Sequence, residues 1–130
     1  MKYSFSKSRR IRSPMRFTFV LRKGACAADG ILVMFAVERK VSMIHDGDRA
    51  DDATARIGIT IPKKVGNAVV RNRWKRWIRE SFRTQIDEIP GGIDIVVRPK
   101  KGAKPSWRAI RRSIPYLAKK VAKRLSTKTC

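Results

Sequence analysis

Side chains that bind metals or carry thiol and imidazole chemistry are scarce in this sequence. It holds one histidine, His45, and two isolated cysteines, Cys26 and Cys130, with no CxxC spacing. That inventory indicates neither a zinc site nor a disulfide framework, so both thiols are expected to be reduced and incidental. Acidic residues are also few. All ten fall between Asp29 and Asp94, which leaves residues 1–28 and 95–130 with positive charge only. There is no run of 18 apolar residues to span a membrane, and the N-terminus lacks the apolar stretch of a secretory signal. The chain is expected in the cytosol, with no membrane partner.

What is abundant is basic charge. Thirty-two Lys and Arg against ten Asp and Glu give a formal net charge of +22, which repels itself unless a polyanion screens it. A nucleic acid is therefore the leading class of partner. The length, 130 residues with 42% apolar side chains, suits one domain with a real core. Residues 1–130 are read as a single domain whose basic ends, 1–12 and 126–130, are flexible tails.

Local signals place the elements. Ser13 before Pro14 looks like an N-cap followed by proline at the first helical position, and Gly24 sits where a helix over 14–23 would end. The apolar run Ile31 to Val37 reads as a strand covered on both faces. Ile57, Ile59 and Ile61 alternate with Gly58, Thr60 and Pro62, a strand that Pro62 ends or leaves at an edge; Ile93 to Val97 reads as another. Trp107, Ile110, Ile114, Leu117, Val121 and Leu125 recur at steps of three and four, an amphipathic helix over 106–125. Pro115 stands inside it and predicts a kink or two short helices. The aspartates 46, 48, 51 and 52 lack the order of a calcium loop and are read as a solvated acidic loop.

The stretch from Lys63 to Arg83 is the most informative. Asn67 is a natural N-cap, so a helix should begin at Ala68. At 100° per residue, Val70, Trp74, Trp77, Ile78 and Phe82 gather on one side, and Arg71, Asn72, Lys75, Arg76, Arg79 and Arg83 on the other. A solvated helix face usually mixes signs at i, i+4, yet only Glu80 relieves this one. Crowded like charges are explained most simply by phosphates that neutralise them, and arginine's planar fork suits both phosphate oxygens and base stacking.

The string Arg56-Ile57-Gly58-Ile59, then Lys63-Lys64-Val65-Gly66-Asn67-Ala68-Val69, Arg71-Asn72-Arg73, Lys75-Arg76 and Arg79-Glu80-Ser81-Phe82-Arg83 resembles the signature of the bacterial ribonuclease P protein family. The likeness extends to Arg9-Arg10-Ile11-Arg12, Phe17 and Gly24, and to Gly92 through Val97, covering about residues 5–118. It implies an α/β two-layer sandwich in the order α-β-β-β-α-β-α with a left-handed β-α-β crossover, and a short strand near Ala25 to Ala28. It also implies a role assisting the catalytic RNA that removes the 5′ leader from precursor tRNA, the chemistry belonging to RNA and Mg2+ and not to protein side chains. Arg71, Asn72, Arg73, Lys75, Arg76, Arg79 and Arg83 would dock on that RNA, with Asn72 close to bound Mg2+. A cleft between the first helix and the sheet would hold the single-stranded leader, Phe17 and Phe35 matching its aromatic positions and Lys63 and Lys64 its basic edge. Phe17 and Phe35 also fit ordinary core packing.

The chain departs from the family pattern in Leu21, where a second phenylalanine is frequent, in Pro62, and in Trp74 and Trp77 at positions that are usually aliphatic. No metal is expected on the protein itself and no obligate protein partner. A protein nuclease would need a carboxylate cluster or a histidine pair, which the sequence does not offer. A ribosomal protein shares the composition, and a helix-turn-helix binder would need a second helix close to residues 68–83, where strands are expected instead.

Overall fold

The computed structural model describes residues 10–39 and 54–127. The acidic loop at residues 46–52, His45 and Cys130 lie outside the described residues. Helix α1, Pro14–Lys23, is followed by strands β1, Ala25–Ala28, β2, Leu32–Glu38, and β3, Arg56–Ile59. Helix α2, Ala68–Thr84, precedes β4, Ile93–Pro99, and α3, Trp107–Thr127, closes the chain. This is the expected α-β-β-β-α-β-α order, and it includes the short strand at Ala25 to Ala28.

Both N-caps predicted from sequence form. Ser13 Oγ accepts from the Arg16 amide at 3.2 Å and Asn67 Oδ1 from the Val70 amide at 3.0 Å, each satisfying a donor that the first helical turn leaves open. Gly24 turns α1 into β1 so tightly that a Cβ there would lie 2.4 Å from the Val20 carbonyl. β3 stops at Ile59, two residues short of the isoleucine alternation. Thr60 still donates to the Val97 carbonyl at 3.0 Å, but Pro62 has no amide to continue the ladder and leads into a 3₁₀ turn at Lys63–Val65.

The four strands lie in the order β1-β2-β4-β3, with β1-β2 and β2-β4 antiparallel and β3-β4 parallel. Period-two alternation sends Leu32, Met34, Ala36, Ile57, Ile93, Ile95 and Val97 to one face, where they meet Trp74, Ile78 and Phe82 of α2 and Ile110, Ile114, Leu117 and Val121 of α3. The opposite face carries Val37, Val96 and Phe35, covered by Val20, Phe17 and Leu21 of α1. The apolar run of β2 is thus covered on both sides, as its composition predicts. The stretch expected as an N-terminal tail contributes structure from Arg10 onward: Arg10 bridges to Ile57, and the Ile11 amide donates to the Ile57 carbonyl at 3.0 Å.

The C-terminal helix is one helix where two short ones are the alternative to a kink, and one of its expected core residues lies outside the core. Pro115 does not split it; α3 runs unbroken from Trp107 to Thr127. Without an amide on Pro115 the Arg111 carbonyl loses its intrahelical donor, and the Gln85 side chain supplies the replacement, Nε2 to O at 2.9 Å, while also bonding Ser81 Oγ at 2.8 Å. Trp107, assigned by periodicity to the buried stripe, is 38% exposed and packs against Trp77, their ring centroids 6.5 Å apart and tilted by 59°. As the first residue of α3 it lies beyond the end of the core. Gln85→Ala is expected to lower unfolding free energy by about 1 kcal/mol, read from urea midpoints. In a Pro115→Ala background, where the helix can satisfy Arg111 itself, that cost should shrink; an undiminished cost would show that the carbonyl contact contributes nothing.

Candidate nucleic-acid interface

Burial of Trp74, Ile78, Ser81 and Phe82 orients α2 and turns its other arc outward. On that arc Asn72, Arg73, Arg76 and Arg79 are exposed, and Arg71 and Lys75 are half-buried. Arg71 Nε is buried and has no hydrogen-bond partner among the described residues. Burial, and then the nearby Arg10 cation, push the Arg79 guanidinium below its ordinary pKa, so the N-terminal segment adds positive charge to this face. Arg83 differs from the rest. Its Nη2 lies 2.7 Å from Glu80 Oε2, and this hydrogen bond raises its own pKa and lowers that of Glu80. The helix's one acid is therefore engaged within the helix, and Arg83 with it. Lys63 and Lys64 are exposed in the 3₁₀ turn just ahead of α2.

A second group lies where α1 crosses the other face of the sheet. Phe17 lies flat enough on β3 that a Cβ at Gly58 would come within 2.5 Å of its ring; only glycine admits this contact. Phe35, on β2, has the Arg98 guanidinium 5.3 Å from its ring centroid. Both phenylalanines are half-buried and join the Val20, Val37 and Val96 cluster, so they take part in packing and also border solvent. Leu21 fills the same cluster. Arg98 was not singled out from sequence; the signal was a basic residue at an outward position of the otherwise buried strand β4.

The group that fixes this region is Asp94, also unrecognised in sequence. Its side chain is fully buried. Arg56 donates to it through Nε at 2.8 Å and Nη2 at 2.7 Å, Arg16 through Nε at 2.7 Å, and Arg39 Nε lies at 3.5 Å. Arg16 also donates to the Glu38 carbonyl at 3.2 Å. One carboxylate thus ties α1, the end of β2, β3 and β4 together. Burial pushes its pKa up, but the hydrogen bonds from Arg56 and Arg16 outweigh it and hold the carboxyl below its ordinary value.

No group of three or more His, Cys, Asp or Glu side chains suited to a metal occurs among the described residues. Asn72 offers one neutral amide oxygen among Arg71, Arg73, Lys75 and Arg76, a donor set that does not hold Mg2+ by itself. Among the described residues no helix is long and apolar enough to cross a membrane.

Comparison with known proteins agrees with this geometry. The family model described as Ribonuclease P matches residues 5–122. The ribonuclease P protein component of Bacillus cereus strain 03BB102 is 34% identical over 115 residues, 88% of this chain and 91% of the relative, and that of Brevibacillus brevis is 32% identical over 115 residues, 88% and 83% of the two chains. The Staphylococcus aureus RNase P protein structure superposes with a TM-score of 0.69 at 31% identity, covering 90% of this chain and 97% of that one. The Thermotoga maritima protein gives 0.70 at 28% identity, covering 86% and 96%. With its element order, its Arg-Asn-Arg helix and these relatives in agreement, the chain belongs to the ribonuclease P protein family, the protein component of a ribonucleoprotein endoribonuclease that processes tRNA.

Proposed function

We propose that the chain docks on the catalytic RNA of ribonuclease P through the outward arc of α2, Arg71, Asn72, Arg73, Lys75, Arg76 and Arg79, with Arg83 completing the face at its far end. The single observation that carries this reading is the charge of that arc. Its one acid is bound to Arg83, and Arg10 adds another cation beside Arg79. Phosphates relieve that repulsion, and counterion release supplies affinity. The single-stranded 5′ leader of precursor tRNA occupies the groove between α1 and the sheet, bordered by the half-buried Phe17 and Phe35, with Arg98 over Phe35 and Lys63 and Lys64 reaching the leader from the turn ahead of α2. Aromatic faces beside a basic groove hold a single strand with little sequence preference.

In this reading Mg2+ supplies electrophilic and water-activating chemistry at the RNA. The protein's share is to add positive charge beside crowded phosphates and to position substrate, with Asn72 able to contribute an amide oxygen only alongside RNA phosphate ligands. No second protein is required. The test is precursor-tRNA cleavage at low Mg2+ by a bacterial ribonuclease P RNA, with and without the purified chain. The expected result is stimulation that fades as Mg2+ is raised, and no cleavage by the chain alone. Metal-dependent cleavage by RNA-free protein, or no stimulation by folded protein, would refute it.

A further inference from the structure

α3 carries a basic surface that the docking reading of α2 leaves unused. Residues 95–130 hold no acid, and Arg108, Arg111 and Arg112 stand exposed at i, i+3 and i+4 on the first turns of α3, close enough to repel one another. Together with Gln85 and Trp107 they line an open groove of about 510 Å³. Gln85 cannot readily move from it, since its amide is committed to the Arg111 carbonyl and Ser81. An indole that is 38% exposed forms one wall of a groove otherwise lined by cations and a neutral amide.

This groove is continuous with the α2 face. The Arg73 guanidinium lies 5.8 Å from the Trp77 ring centroid, both on α2, and the ring of Trp107, on α3, has its centroid 6.5 Å from that of Trp77. Arg73, Trp77, Trp107 and the arginines of α3 thus form one row across the seam between two helices. α1 and the proposed leader groove are on the opposite face of the sheet.

We propose that this row is a second contact to the catalytic RNA, in which Trp107, backed by Trp77, stacks on an unpaired base and Arg108 and Arg111 take the flanking phosphates. An exposed ring braced by another ring presents a rigid π-face, and base stacking of this kind is tolerant of sequence. Positive charge on both sides of the ring matches the phosphates that flank any base. The inference rests on the docking of α2 on the same RNA, because the row begins at Arg73.

The test uses the full-length protein and a bacterial ribonuclease P RNA, with affinity measured across a salt series for wild type, Trp107→Ala, Trp107→Phe and the pair Arg108→Gln and Arg111→Gln. Trp107→Ala should weaken binding about tenfold at an unchanged salt slope, with most of the affinity restored by phenylalanine. The arginine pair should lower the log-log slope by about 1.4 to 1.8. Should Trp107→Ala fail to fold, the exposed arginine pair still decides the matter, since those side chains lie outside the core. Wild-type affinity and slope in all three, while Arg71, Arg73 and Arg76 changes weaken binding, would overturn this second contact and leave α2 docking intact. No binding by wild type would overturn the docking reading itself. A defect confined to precursor-tRNA affinity of the assembled ribonucleoprotein would also overturn the proposal, placing the row against substrate.

Discussion

Asp94→Asn is expected to cost the fold about 3–5 kcal/mol, the range for removing one partner from a buried ion pair, measured by urea unfolding at neutral pH. The carboxylate is fully buried among Arg16, Arg56 and Arg39. An amide of the same size keeps the packing but leaves three guanidiniums facing one another. For a domain whose net stability is on the order of 5–15 kcal/mol, that removes a large fraction. The pH dependence has a definite sign. Because the folded pKa lies below the ordinary 3.8, the stabilisation is fully present above the unfolded value and is lost as pH falls through the folded one. The gap between wild type and Asp94→Asn should therefore be constant near neutrality and narrow below about pH 4. A gap under 1 kcal/mol at pH 7 would show the three arginines to be satisfied without the carboxylate.

The second large effect concerns binding. Replacing Arg71, Arg73 and Arg76 together by alanine removes up to three phosphate contacts, each contributing about 0.9 to the slope of log affinity against log salt. A slope lowered by about 2.7 means that quadrupling the salt costs the wild type about 40-fold more affinity than it costs the variant. Stability should move the other way or not at all: alanine favours helix, the like-charge crowding falls, and Trp74, Ile78 and Phe82 keep α2 on the core. Lost stimulation of cleavage with an unchanged unfolding midpoint would separate docking from folding. An unchanged slope would return these arginines to solvent.

Features set by neighbours in sequence were legible there. Ser13 and Asn67 were identified as caps because the cap bond spans three residues, and the two faces of α2 follow from one angle per residue. What escaped depends on contacts between distant segments. Asp94 looks like an isolated acid in an apolar strand until the pairing of β4 with β2 and β3 brings Arg39 and Arg56 to it, and α1 adds Arg16 from 78 positions away. Pro115 breaks a helix on local grounds, and the remedy comes from Gln85, 26 residues earlier. Trp107 has the right spacing for the core but sits past its end. Charge alone pointed the Arg-Asn-Arg helix toward phosphate; nothing in charge or periodicity selects the hand of the β3-α2-β4 unit or tells RNA from DNA.

The outer margins of the sheet bear on self-association. An exposed strand edge invites a second copy to extend it. On the β3 side the Ile57 carbonyl already accepts from Ile11; on the β1 side, Arg124 reaches from α3 to the Cys26 carbonyl. β1 is also only four residues long. Each margin has a main-chain acceptor taken by the chain's own basic flanks, so segments that carry much of the positive charge also discourage its sheets from zipping together there.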